Sequence, residues 1–268
     1  MRAAVLGSPI SHSLSPLLHN TAYSILGITG EYSAIDVPSA NFADFLSHAL
    51  GERWRGFNLT MPLKESVFDN ALVHCDEASA RIRSANTLIR EGSGFAATST
   101  DLTAFARLLS EDEVERVAII GGGGTARAAI GALADRIKSI DLLLRTPSRI
   151  DAIARIAPGV EVAVKAMDSS LNSYDLVINT TPAGVADHFA QNLDRVDGLY
   201  FESLYNPWPT ELSFAWKELG GQTLHGVDLL VEQALDAIAL MTEKTFDYSD
   251  MRNTLLAVAI SSLDSQRA

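Results

Sequence analysis

The chain has 268 residues, 47% of them hydrophobic and 20% charged, with a formal net charge of -12. That size and apolar content suffice for two medium domains with real cores, and the acidic excess argues against a nucleic-acid surface while requiring local donors for any anionic ligand. No apolar run reaches the roughly 18 to 20 residues of a membrane span, residues 1–7 are too short an apolar stretch for a signal peptide, and the single cysteine, Cys75, leaves no internal disulfide or cysteine-built metal cluster. A cytoplasmic protein without membrane or nucleic-acid partners is expected.

In chain order, strands are expected at 3–6, 31–35, 56–59, 87–89, 117–120, 140–144, 160–164, 176–179 and 199–201. Apolar residues recur at three- and four-residue spacing over 17–26, 42–50, 77–83, 102–109, 126–134, 150–156, 212–219, 229–241 and 251–263, the mark of helices packed on one face. Such alternation predicts an α/β architecture with largely parallel sheets. The acidic stretch Ser110-Glu111-Asp112-Glu113 reads as a loop, so two domains are expected. The boundary between them is expected between about residues 101 and 115.

The strongest local motif opens the second domain. Arg116-Val117-Ala118-Ile119-Ile120 runs into Gly121-Gly122-Gly123-Gly124-Thr125-Ala126, and Gly121, Gly123 and Ala126 fit the small-residue template of a dinucleotide-binding turn. Small residues there allow the tight turn and let backbone N–H groups approach a pyrophosphate at a helix N-terminus. In the first domain, Ser11-His12-Ser13-Leu14-Ser15-Pro16 follows the first strand; Ser15 as N-cap with Pro16 at the first helical position accounts for two of these residues, and Ser13 is left over. Lys64, in Asn58-Leu59-Thr60-Met61-Pro62-Leu63-Lys64-Glu65, is expected at a strand-to-helix junction, in or near a first helical turn where the macrodipole disfavours a cation. Asn86, in Ser84-Ala85-Asn86-Thr87-Leu88, and Asp101, after Thr98-Ser99-Thr100, fall at strand ends, where capping is the plain alternative.

Taken together, these blocks resemble the shikimate dehydrogenase family. The resemblance continues through Leu144-Arg145-Thr146-Pro147-Ser148-Arg149, Asp175-Leu176-Val177-Ile178-Asn179-Thr180-Thr181-Pro182-Ala183-Gly184, Tyr205-Asn206-Pro207 and Gly226-Val227-Asp228-Leu229-Leu230-Val231-Glu232-Gln233. It implies reversible reduction of 3-dehydroshikimate to shikimate with NADPH in aromatic amino acid biosynthesis. It also implies an N-terminal substrate domain of residues 1–102, a Rossmann-type NADP domain of residues 103–227, C-terminal helices at 228–268 that pack back on the first domain, an active site in the cleft between the domains, and no metal. By resemblance, Lys64 and Asp101 are the catalytic pair. Ser13, Ser15 and Tyr205 take the substrate carboxylate, and Thr60, Asn86 and Gln233 the ring hydroxyls and carbonyl. Cofactor contacts are implied for Gly121, Gly122, Gly123, Gly124, Thr125, Ala126, Arg145, Thr146, Arg149, Thr180, Thr181, Pro182 and Gly226.

The residues after the second nucleotide-domain strand also favour NADP over NAD. Asp141 has roughly the spacing of an NAD ribose ligand but opens its strand, whereas Arg145, Thr146 and Arg149 follow the carboxyl end, where two guanidiniums suit a 2′-phosphate. Leu144, Ser99, Val185, Asp228 and Leu229 depart from the usual family pattern, Leu144 on the adenosine side, Val185, Leu229 and Asp228 near the nicotinamide, and Ser99 just before Thr100-Asp101. A quinate/shikimate dehydrogenase using NAD(P) and a catalytically silent NADP-binding sensor stay open as alternatives, as do monomer and homodimer.

Overall fold

The computed structural model describes residues 1–110, 114–145 and 150–267. Two compact units emerge, one of residues 1–104 and 230–268, the other of residues 105–229.

In the first unit, β1 (Arg2–Gly7), β2 (Glu31–Asp36), β3 (Gly56–Leu59), β4 (Val73–Cys75), β5 (Thr87–Glu91) and β6 (Gly94–Thr98) form one mixed sheet in the order β2-β1-β3-β5-β6-β4. Period-two alternation buries both faces of β1: Ala4 and Leu6 join Phe42, Leu46, Phe57 and Phe95 in one core, and Ala3 and Val5 join Tyr23, Tyr32 and Met241 in the other. The helices of this unit are α1 (Ser15–Ile25), α2 (Phe42–Ala49) and α3 (Glu77–Ile82), and the C-terminal α9 (Tyr248–Arg267) packs on α1.

In the second unit, β7 (Arg116–Ile120), β8 (Ser139–Leu143), β9 (Glu161–Lys165), β10 (Leu176–Asn179), β11 (Leu199–Glu202) and β12 (Gln222–His225) are all parallel, in the order β12-β11-β10-β7-β8-β9. That is the doubly wound dinucleotide-binding order, whose switch point lies between β7 and β10. α5 (Gly124–Leu133), α6 (Ile150–Ala154) and α7 (Glu211–Glu218) belong here. The division into units falls within α4 (Thr100–Leu108) and α8 (Gly226–Thr242). Among the described residues no helix is long and apolar enough to cross a membrane, and no group of side chains could hold a metal ion.

Strands β4, β6 and β12 are additional to those expected from the sequence. β4 has three residues, too few to show alternation, and Gly94-Phe95-Ala96-Ala97-Thr98 and Gln222-Thr223-Leu224-His225 lack a β-branched apolar run.

Candidate active site

Strand register builds the site in the first unit. β1 runs parallel to β3 with Leu6 opposite Leu59, β5 is antiparallel to β3 with Thr87 opposite Asn58, and β6 is antiparallel to β5 with Thr98 opposite Thr87. The carboxyl ends of β1, β3 and β6 and the amino end of β5 therefore meet at one end of the sheet. The segments leaving that end carry Ser13 and Ser15, Thr60 and Lys64, Asn86, and Asp101.

There Lys64 Nζ donates to Asp101 Oδ2 at 2.6 Å, with 16% and 5% of the two side chains exposed. The second Asp101 oxygen, Oδ1, accepts from Asn86 Nδ2 at 3.1 Å, and the Asp101 amide donates back to Asn86 Oδ1 at 3.2 Å. Asn86 Nδ2 also lies 2.9 Å from Thr100 Oγ1 and 3.2 Å from Gln233 Oε1, so α8 contributes Gln233 to the same cluster. A carboxylate held on both oxygens can neither rotate nor retreat, and it fixes the ammonium in front of it. Such an ammonium can donate a proton to an oxygen that gains charge.

Two local expectations are corrected. Lys64 does not open an α-helix: residues 61–65 form a turn and Ser66–Asp69 is a short 3-10 helix. The macrodipole argument for Lys64 therefore falls, and the Asp101 contact accounts for the cation. Ser15 is not the N-cap of α1; Leu14 is, with no side-chain capping bond. Ser13 Oγ instead accepts from the Ser15 backbone N–H at 3.3 Å, leaving the buried Ser15 hydroxyl outside the cap. Pro16 still occupies the first turn.

In the second unit Gly121 adopts φ +110°, and a Cβ there would lie 2.4 Å from Thr180 Oγ1. This close approach follows from β7–β10 pairing, with Ile120 opposite Asn179 and Thr180 N donating to Ile120 O. Gly123 precedes α5 without a side-chain cap, and nothing lies within 4 Å of where its Cβ would be. At Gly123 the backbone before a ten-residue helix is therefore open to close approach, the setting a pyrophosphate at a helix N-terminus requires. Arg145 is exposed just beyond the carboxyl end of β8. Asp141 sits mid-strand and accepts from Tyr174 Oη at 2.6 Å, away from the ribose end. Thr146 and Arg149 lie outside the described residues. Pro182 is exposed, Thr181 and Gly226 are buried, and Tyr205 is half-buried. A Cβ on Gly226 would lie 2.2 Å from Ser203 O.

The family profile described as the shikimate dehydrogenase substrate binding domain matches residues 5–88. The shikimate dehydrogenase (NADP(+)) of Methanococcoides burtonii is 30% identical over 263 residues, covering 94% of this chain and 96% of the relative. The chain belongs to the shikimate dehydrogenase family. The crystal structure of Mycobacterium tuberculosis shikimate dehydrogenase shares the fold with a TM-score of 0.85 at 30% identity, covering 96% of this chain and 98% of that one. A Thermus thermophilus shikimate 5-dehydrogenase solved with shikimate follows at TM-score 0.79 and 27% identity, covering 97% and 99%.

Two groups of side chains support these family motifs without having been singled out in the sequence. Asn58, buried in β3, accepts from Tyr32 Oη at 2.7 Å and donates to Thr87 Oγ1 at 2.9 Å and to the Asn86 carbonyl at 3.3 Å, backing the Asn86 cluster from behind. The sequence signal was an asparagine inside an otherwise apolar four-residue strand. In the second unit, Glu202 ends β11 with no exposed surface and gathers donors from Asn179, Tyr200, Leu204 and Thr210. An acidic residue closing Leu199-Tyr200-Phe201 was its only sequence trace.

Proposed function

We propose that this chain catalyses the reversible NADPH-dependent reduction of 3-dehydroshikimate to shikimate, a step of aromatic amino acid biosynthesis, with Lys64 and Asp101 as the acid-base pair. The observation that carries this reading is the 2.6 Å contact between Lys64 Nζ and Asp101 Oδ2 inside a polar cluster that includes Asn86, Thr100 and Gln233. NADPH, when bound, supplies the hydride. Lys64 donates the proton to the carbonyl oxygen as it becomes a hydroxyl, and takes it back in the reverse direction. Asp101 holds the ammonium in place and balances its charge.

Ser13, Ser15 and Tyr205 receive the substrate carboxylate, while Thr60, Asn86 and Gln233 face the ring hydroxyls and the carbonyl. Fixed polar partners are needed because a polyhydroxylated ring otherwise stays in water, and a net charge of -12 opposes an anion at long range. On the cofactor side the segment Gly121 to Ala126 cradles the pyrophosphate. Arg145, with Thr146 and Arg149, meets the 2′-phosphate, and Thr180, Thr181, Pro182 and Gly226 complete the contacts. The reading includes a cytoplasmic enzyme, monomeric or homodimeric.

Following the absorbance of reduced cofactor for the purified protein, with shikimate or quinate paired against NADP+ or NAD+, tests the reading. Shikimate with NADP+ is expected to be the fastest pairing. Faster turnover of quinate with NAD+ would move the assignment to a quinate/shikimate dehydrogenase. NADP+ binding without turnover in any pairing would leave a catalytically silent sensor.

A further inference from the structure

Glu202 takes no part in the chemistry above, yet among the described residues of the second unit it is the most enclosed carboxylate, with no exposed surface. Tyr200, two residues earlier on β11, shares its face of the sheet and donates from Oη to Glu202 Oε2 at 2.7 Å, while stacking on Trp216 of α7. Thr210 Oγ1, at the N-cap of α7, donates to the same oxygen at 3.1 Å and accepts from Ser213 N. The Leu204 amide donates to Oε1 at 3.2 Å, and Asn179 Nδ2 spans both oxygens at 3.0 and 3.3 Å. Asn179 in turn uses Oδ1 to hold the Thr181 amide at 3.0 Å and the Thr181 hydroxyl at 2.6 Å. One carboxylate thus anchors the loop after β10, which begins with Thr180 and Thr181, and the segment after β11 that leads into Tyr205.

Resting on the proposed function, in which Thr181 contacts NADP and Tyr205 the substrate carboxylate, we propose that Glu202 is a positioning residue that sets both contacts through this shared anchor. An ionised carboxyl is an acceptor on both oxygens, which is what four donors require. Burial pushes its carboxyl above the ordinary glutamate range, an effect opposed by the hydrogen bonds from Tyr200, Leu204, Asn179 and Thr210. An amide in its place has one accepting oxygen, and whichever way it turns its NH2 confronts Asn179 Nδ2, which bridges both positions. The Asn179–Thr181 arm must then shift, and with it the segment held through Leu204.

The test is Glu202→Gln, with Glu202→Asp as the conservative variant. Both are measured well below their melting temperatures for the NADP+ dissociation constant, by titration without substrate, and for shikimate KM and kcat. For Glu202→Gln both the NADP+ dissociation constant and the shikimate KM are expected to rise about tenfold, with a smaller fall in kcat, since about 1.4 kcal/mol of lost positioning is one decade. Glu202→Asp, which keeps the charge, is expected to recover at least half of each loss on a logarithmic scale. A folded Glu202→Gln that binds both ligands as wild type does, however much its melting temperature drops, overturns the proposal; so does a change confined to one ligand. If Glu202→Gln does not fold, Tyr200→Phe, which removes one donor and keeps the stack on Trp216, is judged by the same joint criterion with smaller shifts. Wild-type protein that binds NADP+ but turns over no shikimate would count against the proposed function instead, and the NADP+ titration would still decide whether Glu202 anchors the Thr181 loop.

Discussion

Replacing Asn86 with alanine should be costly to both stability and activity, and the structure gives the size. Asn86 is 2% exposed. Its amide donates to Thr100, Asp101 and Gln233, and its oxygen accepts from the Asp101 N–H. Thr100 loses little, because Thr87 Oγ1 remains 3.1 Å away. The Asp101 N–H, Asp101 Oδ1 and Gln233 Oε1 each lose a partner in a buried setting, at roughly 1 kcal/mol or more apiece, and a water drawn into the vacated space returns part of that. A net loss of about 2 to 4 kcal/mol in urea unfolding, with an unchanged m-value, is expected. Asp101 released on one side lets Lys64 drift, so kcat/KM for shikimate should fall at least about a hundredfold. NADP+ affinity should stay as in wild type, because the glycine turn, Thr180 and Arg145 belong to the other unit. A destabilisation below about 0.5 kcal/mol would refute this reasoning, since surface substitutions alone reach that size. So would an equal weakening of NADP+ binding.

Other outcomes follow from the same contacts. Burial lowers the His19 imidazole from 6.5 to about 3, so unfolding takes up a proton below pH 6.5. Stability should be full above about pH 6.5 and decline as pH falls toward 3, by up to roughly 1.4 kcal/mol per pH unit, and His19→Phe, which keeps the stack on Tyr32, should flatten that slope in urea titrations. Ser15→Ala should change the melting free energy by less than about 0.5 kcal/mol, because Leu14 holds the cap position, while weakening shikimate binding; loss of stability with intact affinity would restore the capping role. Arg145→Ala should weaken NADP+ binding about ten- to a hundredfold and leave NAD+ nearly unchanged, an effect that shrinks with added salt; equal losses for both cofactors would withdraw the 2′-phosphate contact.

Much of this was legible in the sequence, for identifiable reasons. The strands at 56–59 and 176–179 were bounded correctly because each is a short, mostly apolar segment flanked by polar or turn-forming residues; the largely parallel arrangement expected from alternating strands and helices holds throughout the second sheet, whereas β5 makes the first sheet mixed. The residues gathered at the sheet end in the first unit could be named from their motifs, but their mutual geometry could not. Asn86 and Gln233 are 147 positions apart, and only the fold brings them to 3.2 Å. The Lys64 turn was misread as a helix start because Thr60-Met61-Pro62 resembles a capped N-terminus, while the chain after it makes only a four-residue 3-10 turn. Ser15 was misread by one position, since a serine beside Pro16 fits a cap equally well on either side of the boundary. Glu202 and Asn58 stayed hidden because a lone polar residue in a buried strand has no periodicity to mark it. Their partners arrive from neighbouring strands and from segments up to 29 residues away.

The central claim is that the Lys64–Asp101 pair moves the proton in shikimate oxidation. Comparing steady-state turnover of wild type and Lys64→Ala with shikimate and NADP+, alongside direct measurement of shikimate binding, tests it most directly. The account predicts a drop in kcat of roughly 10² to 10⁴ with shikimate affinity largely retained, the range for loss of a positioned acid-base group. A Lys64→Ala protein with near-normal kcat would contradict it.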